Sequence, residues 1–263
     1  MNIKIFFMLA CFFCLESFAQ LPAGASYGNY NRLLFLSRPS NDGISGDNEC
    51  GYWFRDIWYK KNRSKSEKFK IHDDYMIIST GGEIVSFSRD FACGKVPLIS
   101  GAGGLYIEFR YKLSNNNKKN WPAVWLMPVE HNNEKRDVYG DVVGWQEWME
   151  LDVDEGGFGP GVTGTVHSWS GIYPKFSNLQ NKNNIHGVEL DRTAFNRFGA
   201  SYDPEKLEVV WWLNDREIIK SGPPYVPMVS RLQNYYIIIS NQFHGDAVDP
   251  YDIVFDYVAV YVK

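Results

Sequence analysis

The sequence predicts an all-β fold in which two antiparallel sheets pack face to face, a β-sandwich or jelly roll. Short runs rich in Val, Ile, Phe, Tyr and Trp, the residue types that favour strands, recur along the chain; examples are 75–79, 105–111, 207–213, 235–240 and 253–262. Helical periodicity is nearly absent. Because such strands bury one face each, two sheets packed against each other would form the core.

The length and composition favour one domain. The chain has 263 residues, of which 44% are hydrophobic and 16% aromatic, and this is enough for one large core. No linker rich in Pro, Gly or Ser and no repeat divides it, so we expect a single domain over 20–263 that acts as a monomer. The polar segment 181–184 is expected to be a surface loop.

The charge balance disfavours two classes of partner. The formal net charge of −4 at pH 7 provides no basic surface. Nucleic acids and anionic membrane surfaces are therefore disfavoured as partners, and an uncharged polymer suits the chain better.

Residues 1–19 have the pattern of a secretory signal peptide. Lys4 precedes an apolar run over 5–15, and small residues precede a cleavage point after Ala19. That run is shorter than the roughly 20 residues that a membrane-spanning helix needs. We expect a secreted or periplasmic protein, free of the membrane once the signal is removed. Lipid attachment at Cys11 is disfavoured, because only a short apolar run precedes Leu-Ala-Cys.

Two cysteines, Cys50 and Cys93, remain after removal of the signal. In an oxidising compartment they could form a disulfide. Two free buried thiols fit the sequence equally well.

An acidic strand is the main candidate for a functional site. Segment 145–155 has the sequence WQEWMELDVDE and is followed by two glycines. Alternate residues of a strand share a face, so Trp148, Glu150 and Asp152 project together. The opposite, core-directed face carries Met149, Leu151 and Val153.

Glu155 lies at an odd separation from Glu150 and reaches the same face only if a β-bulge absorbs one residue. The two Cα atoms would then be about 13 Å apart, and converging side chains could bring the carboxyl groups to the ~5 Å typical of retaining glycosidases. Asp152 would lie between them. In a strand without the bulge, Asp154 would take the place of Glu155.

Two other functions are conceivable for an acidic strand of this kind. A solvated acidic face, or a charged edge that prevents aggregation, would explain the same residues. A calcium-binding loop starting at Asp152 is excluded, because the twelfth position is Thr163 where such a loop requires glutamate.

Aromatic residues near the acids favour carbohydrate as the ligand, because sugar rings stack their C–H faces on flat aromatic surfaces. The chain has nine tryptophans. Each alone is more often a core residue than a ligand contact, so only the group is informative. The candidate substrate-binding residues are Trp121, Trp125, Trp145, Trp148, His167 and Trp169.

These motifs together resemble glycoside hydrolase family 16, which includes laminarinases, lichenases, agarases and carrageenases. The family motif ExDxxE is present as Glu150, Asp152 and Glu155. Further similar stretches follow in the same order as in the family, at 121–128, 164–167, 198–204 and 255–261.

The resemblance implies a concanavalin-like jelly roll and a retaining mechanism. It assigns Glu150 as the nucleophile, Asp152 as the assisting carboxylate and Glu155 as the acid/base. It implies no cofactor for catalysis. Asp256 matches a position that often binds a structural calcium ion in the family, although an aspartate satisfied by backbone groups is an equally good interpretation.

The flanking residues bear on the substrate. The bulged motif is more typical of laminarinases and of agar and carrageenan enzymes than of lichenases, although Trp148 is similar to the lichenase pattern. Tyr202 stands where the family commonly has tryptophan. An endo-acting hydrolase of β-1,3-glucan is the first expectation. A mixed-linkage glucanase, a galactan hydrolase, a transglycosylase and a non-catalytic carbohydrate-binding sandwich are the alternatives.

Overall fold

The structure is a computed structural model. It describes residues 20–46, 49–55, 63–88, 93–130, 147–158, 161–172, 175–184, 190–242 and 249–263. The predicted signal segment 1–19 and Trp145 lie outside the described residues.

The described residues form fifteen strands and two short α-helices. The helices are α1 (Ala23–Tyr27) and α2 (Pro39–Asp42). The first strands are β1 (Arg32–Ser37), β2 (Phe69–Ile71), β3 (Met76–Ser79), β4 (Glu83–Val85), β5 (Ile99–Ser100), β6 (Leu105–Leu113) and β7 (Trp121–Pro128). The others are β8 (Glu147–Glu155), β9 (Thr163–Ile172), β10 (Lys175–Asn184), β11 (Asn196–Asp203), β12 (Glu208–Leu213), β13 (Arg216–Ser221), β14 (Asn234–Gln242) and β15 (Asp252–Val262).

The strands form two sheets, and all strand pairings within them are antiparallel. One sheet has the order β13-β12-β11-β6-β15-β3-β2, with β1 also paired to β15. The other has the order β10-β9-β8-β7-β14-β4, with β5 also paired to β14. This arrangement confirms the predicted all-β, two-sheet sandwich.

The core lies between the two sheets and follows from the alternation of the strands. Phe109 of β6 and Phe255 of β15 face Leu151 of β8 and Ile237 of β14 in one cluster of buried side chains. Each large apolar side chain that is fully buried contributes about 1.5–3 kcal/mol relative to remaining exposed. This cluster therefore holds β8, the candidate acidic strand, firmly from its inner side.

A second apolar cluster lies on the outer face of the β10-to-β4 sheet. Trp125, Trp148 and Tyr236 are among its buried members, and Trp169 and Phe176 pack against it. Trp148 and Trp169 stack with ring centroids 5.7 Å apart. The outer face of this sheet is consequently aromatic.

The predicted loop at 181–184 is wrong. These residues complete β10, which pairs with β9 from Lys175 to Asn184. The strand is polar because it stands at the edge of its sheet and has little apolar surface to bury. Within the sheet, the side chain of Asn181 accepts a hydrogen bond from the Val166 amide at 2.8 Å. None of the described helices has the length and apolarity that crossing a bilayer requires.

Cys50 and Cys93 form a disulfide, with their Cα atoms 5.9 Å apart. The bond closes a loop over a sequence separation of 43 residues. It resolves the alternative between a disulfide and two free thiols.

We predict that replacing both cysteines, in a C50S/C93S variant, lowers the free energy of unfolding by about 2–4 kcal/mol, because the bond restricts the unfolded chain. Chemical denaturation of both proteins with and without dithiothreitol measures this. The reductant should bring the wild type to the level of the variant and leave the variant unchanged. Equal stability of oxidised and reduced wild type would contradict the prediction.

Candidate active site

Strand β8 places the acidic residues on the outer face of its sheet. It lies between β7 and β9, with Glu150 opposite His167 and Trp148 opposite Trp169. The inward positions Met149, Leu151 and Val153 belong to the core. The predicted division of the strand into a core face and an acidic face is therefore present.

A β-bulge interrupts the pairing of β8 with β7 after Asp152. Trp125 is opposite Asp152 and Val124 is opposite Asp154, which leaves Val153 without a partner in β7. The extra residue shifts the alternation of sides by one position. Glu155 is thereby returned to the outer face, as predicted, and the alternative in which Asp154 faces the site is wrong.

Asp154 instead points into the core, where it is fully buried. Arg192 donates to both of its carboxylate oxygens, at 2.7 and 3.0 Å, and the Tyr111 hydroxyl donates to one of them. A buried carboxylate is strongly unfavourable without such partners. Sequence reasoning missed Arg192 and Tyr111, since neither lies near β8 in the chain.

Glu155 is partly buried and is oriented by Trp121 of β7. The Trp121 indole Nε1 donates to Glu155 Oε1 at 2.9 Å. The indole lies against Gly157, whose φ is +84° and where an added Cβ would come within 2.1 Å of the ring. A glycine is required at this position, both for its backbone conformation and for the close approach of the indole.

Glu150 and Asp152 are held by two side chains of β9. The Trp169 indole donates to Glu150 Oε2 at 3.0 Å. His167 Nε2 lies 3.1 Å from Asp152 Oδ2, and its Nδ1 lies 2.7 Å from the side-chain amide group of Asn178 in β10. Each carboxylate in the site therefore has a hydrogen-bonding partner that restricts its orientation.

The pKa values of the two outer glutamates are raised. Burial is the main cause for both, and the charge of Asp152 adds to it. The pKa of Glu150 rises to about 7 and that of Glu155 to about 8. The charge of Glu150 also raises the pKa of Glu155. Both glutamates thus retain their protons to a higher pH than a solvent-exposed glutamate does.

His167 carries the opposing charge. Burial lowers its pKa, but the hydrogen bond to Asp152 and the charges of Asp152, Glu150 and Glu155 outweigh burial and raise the pKa to about 9. This raised pKa favours the charged form of His167 at neutral pH, and the positive charge lowers the pKa of both glutamates, against the effects of burial and of Asp152.

The structure divides the predicted substrate-binding residues into two groups. Trp121, His167 and Trp169 are partly exposed beside the acids. Trp125 and Trp148 lie on the same face but are only 6% and 1% exposed, so their rings are packed against neighbouring side chains and form little of its surface. Direct contact of these two rings with a sugar stays a prediction. Tyr202 lies in the core between the sheets.

Asp256 does not have the surroundings of a calcium ligand. Arg38 donates to its Oδ1 and Arg110 to its Oδ2, so both carboxylate oxygens face guanidinium groups. Two positive charges beside one carboxylate oppose the binding of a divalent cation. The residues at this position therefore do not fit the calcium ion that the resemblance implied.

Glu150, Asp152 and His167 form a mixed cluster whose potential ligand atoms all lie within 4.8 Å of one another. A cation could be held at such distances. However, the indole of Trp169 already contacts Glu150, and His167 itself contacts Asp152. The cluster is fully accounted for as a hydrogen-bonded group of side chains.

Several solved structures are similar to this one over most of their length. A laminarinase catalytic domain from Thermotoga petrophila matches with 17% identity and a TM-score of 0.56, covering 88% of this chain and 98% of that one. LamA from Z. galactanivorans, in complex with laminaritriose and laminaritetraose, matches with 19% identity and a TM-score of 0.59, covering 88% and 99%. A Bacteroides ovatus mixed-linkage glucan GH16 protein matches with 14% identity and a TM-score of 0.55, covering 86% and 99%.

No protein-family model and no curated protein matches the sequence. The structural matches confirm the resemblance to glycoside hydrolase family 16 at the level of the fold.

We predict that His167→Gln raises the pKa of Glu150 further above about 7, by on the order of one unit, because a positive charge that favours its ionised form is lost. Carbon-13 NMR titration of the glutamate carboxyl groups measures this. His72→Gln is the matched control, since His72 is exposed and stacks on Tyr75. An unchanged or lower pKa of Glu150 would show that His167 is neutral.

Proposed function

We propose that the chain is a secreted, endo-acting glycoside hydrolase that cleaves a β-linked polysaccharide with retention of configuration, and that β-1,3-glucan is its substrate. The observation that carries the proposal is the bulge in β8, which puts Glu150 and Glu155 on one aromatic face with Asp152 between them. Retaining hydrolysis requires one carboxylate to attack and one carboxylic acid to donate a proton.

In the first step, the ionised Glu150 attacks the anomeric carbon, and the bond from that carbon to the glycosidic oxygen breaks. The proton of Glu155 moves to the departing oxygen, so the leaving sugar is released as a neutral alcohol. The charge of Glu150 is one of the causes that raise the pKa of Glu155, and this supports Glu155 as the proton donor of the step.

In the second step Glu155 acts as a base, whereas it acts as an acid in the first. Once Glu150 has formed an ester with the sugar, its negative charge is lost, and this charge is one cause of the raised pKa of Glu155. Its pKa therefore falls, so Glu155 stays ionised and accepts a proton from water while the water oxygen attacks the anomeric carbon and the bond from that carbon to Glu150 breaks. The Glu150 carboxylate, protonated Glu155 and the β-configured product result.

Asp152 and His167 support both steps. His167 restricts the orientation of Asp152 by contacting one of its carboxylate oxygens. The positive charge of His167 limits the mutual repulsion of the three acids. Without it, burial and repulsion would favour a protonated Glu150 that attacks poorly.

The choice of β-1,3-glucan rests on two supports. The similar structures include endo-1,3-β-glucanases, and one of them was solved with laminari-oligosaccharides. Among the described side chains that hydrogen-bond or ion-pair with the three acids, His167 is the one cation, which suits an uncharged polymer better than a sulfated one. Residues 1–19 support secretion by their signal-like pattern.

The roles of the two glutamates are testable by substitution and chemical rescue. We expect Glu155→Ala to lower kcat by about 10²–10⁴ and Glu150→Ala to abolish turnover of laminarin. With an activated aryl glycoside, azide should restore turnover of both variants: it replaces the Glu150 carboxylate to form the α-glycosyl azide, and it attacks the ester of the Glu155 variant to form the β-glycosyl azide.

Glu147→Gln is the control, since Glu147 is exposed on the same strand and should retain wild-type activity. Mixed-linkage glucan, agarose, porphyran and carrageenan are assayed in parallel. Cleavage of the galactans alone would overturn the substrate assignment. Binding without cleavage of any polymer would favour a carbohydrate-binding sandwich.

Retention is tested separately by proton NMR of fresh product. We expect the β-anomer to appear first and the α-anomer to accumulate only by mutarotation, because two displacements at one carbon restore its configuration. Initial release of the α-anomer would exclude Glu150 as a nucleophile. Elongated oligosaccharides among the products would show transfer to sugar in place of water.

A further inference from the structure

Two consecutive residues of β8, Val153 and Asp154, face the interior of the sandwich. Val153 is part of the core cluster, and Asp154 contacts Tyr111 of the opposite sheet. In a regular strand, consecutive residues face opposite sides. The side on which Glu155 lies therefore depends on whether Asp154 stays inside.

The competing register of the strand is the one that lacks the bulge. Without the bulge, Asp154 would face outward beside Glu150 and Asp152, and Glu155 would turn into the core. Such a one-residue slip reverses the side of every following residue. Since either register buries one carboxylate, the interior partner available for that carboxylate decides between them.

Arg192 is that partner, and it is placed for Asp154. Its guanidinium donates to both oxygens of Asp154 and to the Gly161 carbonyl at 2.9 Å. It also lies over the Phe198 ring, 5.4 Å from the centroid. A bidentate guanidinium has a fixed geometry and binds a carboxylate at one position. The longer side chain of Glu155, placed one residue further along the strand, would not match that position.

The backbone of Arg192 is anchored as well. Its carbonyl accepts from the Leu113 amide at the end of β6, and its amide donates to the Asn116 side chain. Arg192 is 8% exposed and precedes β11. The guanidinium therefore reaches β8 from a segment tied to the opposite sheet.

We infer that Arg192 is a positioning residue that holds the bulge of β8 by binding Asp154 inside the sandwich, and so keeps Glu155 on the face of Glu150. The consequence for catalysis rests on the proposed function. The consequence for the position of Glu155 does not, and it is measured without substrate.

The first test is Arg192→Gln, which removes the charge from the interior. We expect kcat to fall by about 100-fold, the loss that a displacement of a reacting group by about 1 Å can cause, with KM unchanged. In the wild type, the Trp121 indole N–H signal should follow the titration of Glu155 near pH 8, because the indole donates to that carboxylate. In the variant this titration should be lost.

The second test separates positioning from general damage to the fold. In the double variant D154L/R192M, the apolar residue at 154 still prefers the core, so the bulge should persist without the ion pair. Replacing a buried ion pair with apolar residues is often tolerated. We expect the double variant to regain the indole titration and a kcat within about tenfold of the wild type, well above R192Q alone.

Arg197→Gln is the matched control, since Arg197 forms a partly exposed ion pair with Asp215; it should leave kcat and the indole titration unchanged. Near-UV circular dichroism at the assay temperature confirms that each variant is folded. An R192Q variant with wild-type kcat and indole titration overturns the inference, as does a double variant no better than R192Q. If the wild type cleaves no glycan, the indole titration alone decides the position of Glu155, independently of the proposed function.

Discussion

The buried pair of Asp154 and Arg192 is the interaction on which the candidate site depends. A carboxylate placed between two sheets is unfavourable unless a cation and further donors satisfy it, and here a bidentate guanidinium and a tyrosine hydroxyl do so. The pair keeps two consecutive residues of β8 inside the sandwich. The acidic face beyond the bulge follows from this, because Glu155 must then turn outward.

Beside the bulge, a main-chain carbonyl of β8 accepts a hydrogen bond from a side chain of the opposite sheet. The Trp211 indole of β12 donates to the Asp152 carbonyl at 2.9 Å. Gly164 of β9 leaves space for that indole, since a Cβ there would lie 2.2 Å from its nitrogen. The opposite sheet therefore supports the acidic strand in two places, through Trp211 at Asp152 and through Tyr111 at Asp154.

The outer face of the β10-to-β4 sheet combines buried aromatic side chains with charged groups, and both influence the pKa values of the acids. The rings of Trp148 and Trp169 stack beside Glu150, and burial together with the charge of Asp152 raises the pKa of Glu150 and Glu155. The same environment strengthens the pairing of His167 with Asp152. On the opposite sheet, the charge of Asp256 is neutralised by two arginines, Arg38 and Arg110, one at each carboxylate oxygen.

The sequence by itself determined the all-β sandwich, an acidic strand that ends at Glu155, and the face shared by Trp148, Glu150 and Asp152. These features follow from residue preference and from the period of two along a strand, which are local properties. It also indicated that Glu155 requires a bulge, but left Asp154 as its rival. Tertiary structure decided between them, because the deciding contact joins residues 38 positions apart, and no local pattern identifies Arg192 as the partner. The strand character of 181–184 and the surroundings of Asp256 were likewise decided by neighbours distant in sequence.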